Sequence, residues 1–231
     1  MKGRQKKTSD KSAQEKLPLK KRIVREIVAW GWVLAAFLVI HGTLVQARVI
    51  PSPSMEQTLL VGDHFLVSRF GYDAGLAFTD WHVSLWRSPQ RQQIVVFRSV
   101  TDRGTDLVKR VIGVPGDRIE IRRGVVWVNG QPLVEPYVNG KPNPTENREP
   151  VIVPEKSYFV MCDNRENSYD SRYWGFLPRS NIVGTPMVIY MSIEGPAEAF
   201  QPGHVGERLS AYLNALVHPQ LVRWSRLFVT F

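Results

Sequence analysis

Cysteine is nearly absent, with Cys162 alone among 231 residues. An intramolecular disulfide is therefore excluded, and so is a zinc site built on several thiolates. The five histidines, His41, His64, His82, His204 and His218, show no HExxH or related spacing. Neither a metal nor another cofactor is expected. Formal charge is missing from one long stretch, the 21 residues from Ile27 to Ala47 between Glu26 and Arg48. Acidic residues are scarce just before it. Residues 1–25 carry ten Lys and Arg against Asp10 and Glu15, so nearly all of the net charge of +9 sits in one tail. A basic tail beside an apolar run points to a lipid bilayer as partner and away from nucleic acid.

As a helix the uncharged run spans about 31 Å, which matches a hydrocarbon core of ~30 Å. Trp30 and Trp32 stand near its basic end, where indoles favour the headgroup region. A transmembrane helix over 27–47 is expected, with a cytoplasmic tail over 1–26 and everything after Arg48 on the far side. Two other readings compete. Val45-Gln46-Ala47 has the small residues of a signal-processing site, but the apolar run exceeds a usual 7–15-residue signal core. A buried core helix seldom lacks charge for so long. His41 reads as tolerated near the outer end of the span.

Beyond the span the pattern shortens. HFLVSRF, QIVVFRSV, DLVKRVIG, DRIEIRRG, VVWVNGQ, SYFVMCD and PMVIYMSIE are rich in β-branched and aromatic residues and broken by Gly, Pro, Asn and Asp. IEIRRGVVWVNG reads as a hairpin turning near Arg123-Gly124. With no amphipathic helices between the strands, a mostly antiparallel β domain over 48–195 is expected. Gly71–Gln90 reads as a loop carrying Phe78, Trp81, Leu85 and Trp86, which either dip into the membrane interface or pack on one another. Asn139–Pro150 reads as a proline-rich connection. The tail over 196–231 holds a short amphipathic helix in LSAYLNALV, then LVRWSRLFVTF, a closing strand or a second membrane contact.

Three polar segments carry the chemistry: PSPSMEQTL at 51–59, KRVIGVPGD at 109–117 and CDNRENSYDSR at 162–172. Each alone is an ordinary turn, strand end or loop. Together, in this order and behind an anchor, they resemble the type I signal peptidases, which are serine–lysine proteases, over about residues 20–195. The family pattern P-S-x-S-M-x-P-T-L is met except that Gln57 replaces a proline. K-R-x-x-G-x-P-G-D is met throughout, and G-D-N-R-x-x-S-x-D-S-R except that Cys162 replaces a glycine. Gln92-Gln93 also stands where Gly-Asp is frequent, which implies a different turn.

The resemblance implies a signal peptidase-like catalytic domain with Ser54 as nucleophile and Lys109 as general base. A serine hydroxyl needs a base to take its proton, and a lysine acts as one only when neutral. Burial among apolar groups favours the neutral amine. Ser168 would orient that amine, and Ser52 with the Ser54 N–H would form the oxyanion hole. Asp170 and Arg172 would pair to hold the Ser168 loop. Ile50, Pro51, Met55 and Val108 would line the substrate pockets, with Asp106 near the strand edge at 106–109. The substrates would be exported preproteins, cut after small residues at −1 and −3 by an enzyme of the cytoplasmic membrane. Three rivals make other predictions. A self-cleaving repressor needs an N-terminal DNA-binding domain, a serine–histidine peptidase needs histidine at 109, and a non-catalytic membrane-anchored β module predicts loss of Ser54, Lys109 or Ser168.

Overall fold

The computed structural model describes residues 19–75, 81–102, 104–138, 140–166 and 168–231. The first 18 residues of the basic tail, Phe78 and Asn139 lie outside them. The chain forms two units that divide between Leu38 and Val39.

Helix α1 runs Leu19–Thr43, and its stretch Leu19–His41 is long and apolar enough to cross a membrane. Ile27, Trp30, Trp32, Val33, Leu34 and Phe37 are all exposed, so the helix shows apolar surface all round, as a lipid-facing span does. It starts before residue 27 because Lys20, Lys21, Arg22 and Arg25 are good helix formers. It also stops short of 47. Val45–Val49 form a strand, β1, whose backbone groups pair with Asp63–Ser68 (β2) instead of continuing the helix. Val45-Gln46-Ala47 is thus part of a sheet.

The other strands of the second unit are β3 Asp73–Gly75, β4 His82–Ser84, β5 Ile94–Arg98, β6 Asp106–Gly113, β7 Arg118–Arg122, β8 Val125–Val128 and β9 Gln131–Pro132. There follow β10 Arg148–Ile152, β11 Ser157–Met161, a short helix α2 Ser171–Trp174, β12 Leu177–Pro178, β13 Ile182–Ser192 and helix α3 Val205–Val217. Pairing is antiparallel throughout. The main sheet has the order β1-β2-β13-β5-β6-β11-β12, a second sheet β10-β7-β8-β9, and β3-β4 is a separate hairpin. The expected β-rich domain is present, and all seven apolar runs contribute strands.

Burial on both faces explains those runs. Along β5, Ile94 and Val96 enter one core cluster with Ile50, Met55, Leu59 and Phe65, while Val95 and Phe97 enter a second with Tyr158 and Val160. Along β11, Phe159 and Met161 turn to a third with Ile112, Ile119 and Val126. Strands apolar on both faces read as unbroken runs. Register shifts in β13 against both neighbours mark bulges, which bend and twist a sheet. The main sheet curls so far that Arg48 of β1 pairs with Asp106 of β6, although three strands lie between them in the order.

The hairpin at Arg123-Gly124 forms as expected, with both residues at positive φ, 50° and 77°, as a two-residue type I′ turn requires. Part of the proline-rich connection is not loop. Arg148–Ile152 pairs with β7, since Pro150 falls where the register shifts and its missing N–H breaks no ladder bond. In the tail, α3 covers LSAYLNALV, and Thr230 bridges to Val188 of β13, so the last residues do close onto the sheet.

Candidate active site

Ser54 sits in a single 3₁₀ turn, Pro53–Met55, just after β1. Ile50, Met55 and Leu59 sink into the first core cluster and pull this turn against the sheet. Lys109 stands on β6, nearly fully buried at 4% exposure and opposite Val95 of β5. Its Nζ donates to Ser54 Oγ at 2.9 Å across 55 residues of sequence. The Ser52 hydroxyl lies 3.4 Å from that of Ser54.

The third segment fastens the turn from the other side. Asn164 donates its backbone N–H to Ser54 O at 3.1 Å and its amide to Pro53 O at 3.2 Å. Asp163, fully buried, accepts from Thr58 Oγ1 at 2.6 Å and from Arg110 Nε at 2.8 Å and NH2 at 2.6 Å. Arg110 also lies over the Tyr137 ring at 3.8 Å. One carboxylate therefore joins β6, the segment just after the Ser54 turn and the 162–172 loop. Asp163, Asn164, Thr58 and Arg110 stood inside the three segments, yet their roles depend on which segment meets which, and no local pattern shows that.

Asp170 and Arg172 form the expected pair, at 2.9 Å through two contacts. Asp170 also caps α2 and accepts the Cys162 N–H at 3.0 Å. Burial alone would raise its pKa, but the Arg172 guanidinium and the two backbone donors outweigh burial and hold it below the ordinary value. An unfolded aspartate titrates near ~3.9, so on acidification the unfolded chain takes up this proton first. The stability from Asp170 is thus complete above about pH 4 and is lost as pH falls through the lowered native value. We expect the melting temperature to drop over that acid range, and Asp170→Asn to flatten the drop while melting lower at neutral pH.

The remaining expected residues fall as follows. Ser168 Oγ donates to Asn164 O, and among the described residues Lys109 bonds Ser54 and not Ser168. Ile50 and Met55 are buried beneath the site, Val108 leans on the same cluster, and Pro51 is half-buried. Asp106 pairs with Arg48, whose pKa burial pushes down. Cys162 is fully buried.

Gln57 takes φ 82°, which proline cannot adopt, so the turn after Ser54 differs from one built on proline. A non-glycine residue in that region is strained by about 1–2 kcal/mol. Gln57→Gly is expected to raise stability by roughly 1 kcal/mol and Gln57→Pro to lower it by more, as thermal melts would show. Gln92 likewise takes φ 67°, where glycine would rest without strain.

A serine hydroxyl meeting a buried lysine amine is the arrangement of a serine–lysine hydrolase. The family model described as signal peptidase, peptidase S26, matches residues 23–191. The chain belongs to that family. Among its S26 relatives, a probable signal peptidase I-2 of Synechocystis sp. is 37% identical over 65% of this chain and 65% of its own length. Signal peptidase I of Leptolyngbya laminosa is 36% identical over 69% of this chain and 75% of that one. Signal peptidase I of Pseudomonas aeruginosa is 32% identical over 81% and 79%. The chain thus spans just under two thirds of the first of these relatives and about three quarters or more of the other two. Among the described residues of this S26 member, no group of three or more His, Cys, Asp or Glu is placed to hold a metal ion.

Proposed function

We propose that this chain is a membrane-bound endopeptidase that removes N-terminal signal peptides from exported preproteins. The observation that carries this is the 2.9 Å contact between Lys109 Nζ and Ser54 Oγ in an S26 family member. Neutral Lys109 takes the Ser54 proton as Oγ attacks the scissile carbonyl. The oxyanion is held by the Ser54 N–H and the Ser52 hydroxyl, preset donors of the kind that contribute most to acyl transfer. Lys109 then gives the proton to the leaving amine, and the new N-terminus departs. An ester to Ser54 remains. Water attacks it with Lys109 again as base, which restores Ser54 and frees the signal peptide. Asn164, Asp163 and the Asp170–Arg172 pair keep the turn and the 162–172 loop in place, with Ser168 part of that loop.

The substrate enters as an added strand. Residues 106–109 of β6 pair with β5 on one side, whereas β11 pairs with β6 only from Arg110 onward. Among the described residues the other edge of 106–109 is open, which suits an extended peptide. On this reading Ile50 and Met55, buried beneath the site, and Val108, packed on the same cluster, form the apolar floor that small side chains at −1 and −3 would meet. The basic tail keeps the N-terminus in the cytoplasm, so the β domain works on the outer face of the cytoplasmic membrane. The test is a purified preprotein whose product N-terminus is sequenced. Cleavage after an alanine at −1, abolished when that alanine becomes phenylalanine, supports the reading. A cut elsewhere or none sinks it.

A further inference from the structure

A cavity of about 850 Å³ lies between the connection 133–148 and the end of the 162–172 loop. Its size falls within the range that takes a ligand or a short stretch of peptide. The charges on its wall are unevenly matched. Arg165 pairs with Glu135, and Arg172 pairs with Asp170 and Glu146. Lys141 and Arg148 line the same cavity, and among the described residues neither side chain has a carboxylate partner or a hydrogen bond. Arg148 lies over the Tyr173 ring at 5.4 Å, a contact that steadies the guanidinium while its N–H donors stay open. Among the described carboxylates of the wall, Glu166 alone has no cation. Two unanswered cations against one unanswered carboxylate favour an acidic ligand.

Two connections tie this cavity to Ser54. Asn164, which bonds Ser54 O and Pro53 O, is followed directly by Arg165 of the wall. Glu135 accepts from Tyr137 OH at 3.1 Å, and the Tyr137 ring packs on Arg110, which holds Asp163 and Thr58. The topology of β6 supplies a direction. With a signal peptide laid beside 106–109, the slot stops where Met161 of β11 pairs with Arg110. Residues beyond the scissile bond cannot continue along β6, because β11 already holds that edge. They turn aside at 162–164, and the cavity wall begins at 165.

We propose that this cavity receives the start of the mature chain and selects an acidic side chain there, with Arg148 and Lys141 as its partners. A carboxylate meeting a guanidinium and an ammonium forms charge-assisted hydrogen bonds, which fix geometry as well as add binding. The mature segment is thereby held on the far side of the scissile bond from the signal peptide. The proposal rests on the signal-peptidase reading.

The test uses the full chain in detergent and a series of preproteins. One aspartate is moved singly through the first eight mature positions, a reach of about 26 Å when extended, with alanine at every other one. We expect aspartate at one or two positions to raise kcat/KM several-fold over the all-alanine preprotein, and elsewhere to have no effect. Arg148→Glu combined with Lys141→Glu should reverse that preference, so that lysine at the favoured position is cut faster than aspartate. Both side chains are exposed, and circular dichroism checks that the doubly changed protein is folded. A flat scan with the wild type overturns the proposal, as does a preference for aspartate that survives both charge reversals. Inorganic phosphate that slows every preprotein alike, and only while Arg148 and Lys141 are present, assigns the cavity to a free anion and also overturns it. If no preprotein is cut at all, the signal-peptidase reading itself falls, a separate failure that takes the proposal with it.

Discussion

Lys109→Ala lowers the cleavage rate by about 10²–10⁴-fold, the range a positioned general base contributes. The geometry gives the reason: the amine lies 2.9 Å from the Ser54 hydroxyl, and Lys109 is nearly fully buried on β6. Lys109→Arg fares no better, because a guanidinium keeps its charge and cannot accept the proton. If serine and lysine act as one unit, Ser54→Ala combined with Lys109→Ala is no slower than the worse single variant. Near-full activity in Lys109→Ala, with circular dichroism unaltered, would move the base elsewhere.

The second large effect is on stability. Asp163 is fully buried and answers Arg110, itself 8% exposed, through two hydrogen bonds. Asp163→Asn leaves that guanidinium without its countercharge and Thr58 with a poorer acceptor. Breaking a buried pair in this way costs about 3–5 kcal/mol. For a domain of this size that is a fall of roughly 10 °C in melting temperature. Replacing Asp163 and Arg110 together by residues of similar volume costs less than the sum of the single changes, because no charge is left stranded. Melts of the three variants in one detergent measure both effects. Activity should fall with Asp163→Asn even well below its melting point, since Thr58 and Asn164 hold the Ser54 turn.

The meeting of Ser54 with Lys109 was legible because their segments carry unusual residues at fixed spacing. The strands were legible because burial on both faces writes Ile94–Phe97 and Tyr158–Met161 as apolar runs. What the sequence hid depends on pairing at a distance. Val45–Val49 continues the apolar stretch of the span, and only β2 makes it a strand. Arg148–Ile152 sits among prolines, and only β7 makes it one. Arg48 and Asp106 are far apart in sequence and in strand order, and only the curl of the sheet joins them. The amphipathic pattern of α3 was visible, but not that its apolar side would face outward.

The measurement that bears most directly on the central claim is an acid quench during turnover, followed by peptide mapping. A preprotein is mixed with enzyme, stopped within the first turnover, digested and weighed. The account predicts a fraction of the peptide carrying Ser54 to be heavier by the signal peptide less one water, and no such species with Ser54→Ala. An adduct on another residue, or full turnover by Ser54→Ala, would contradict it.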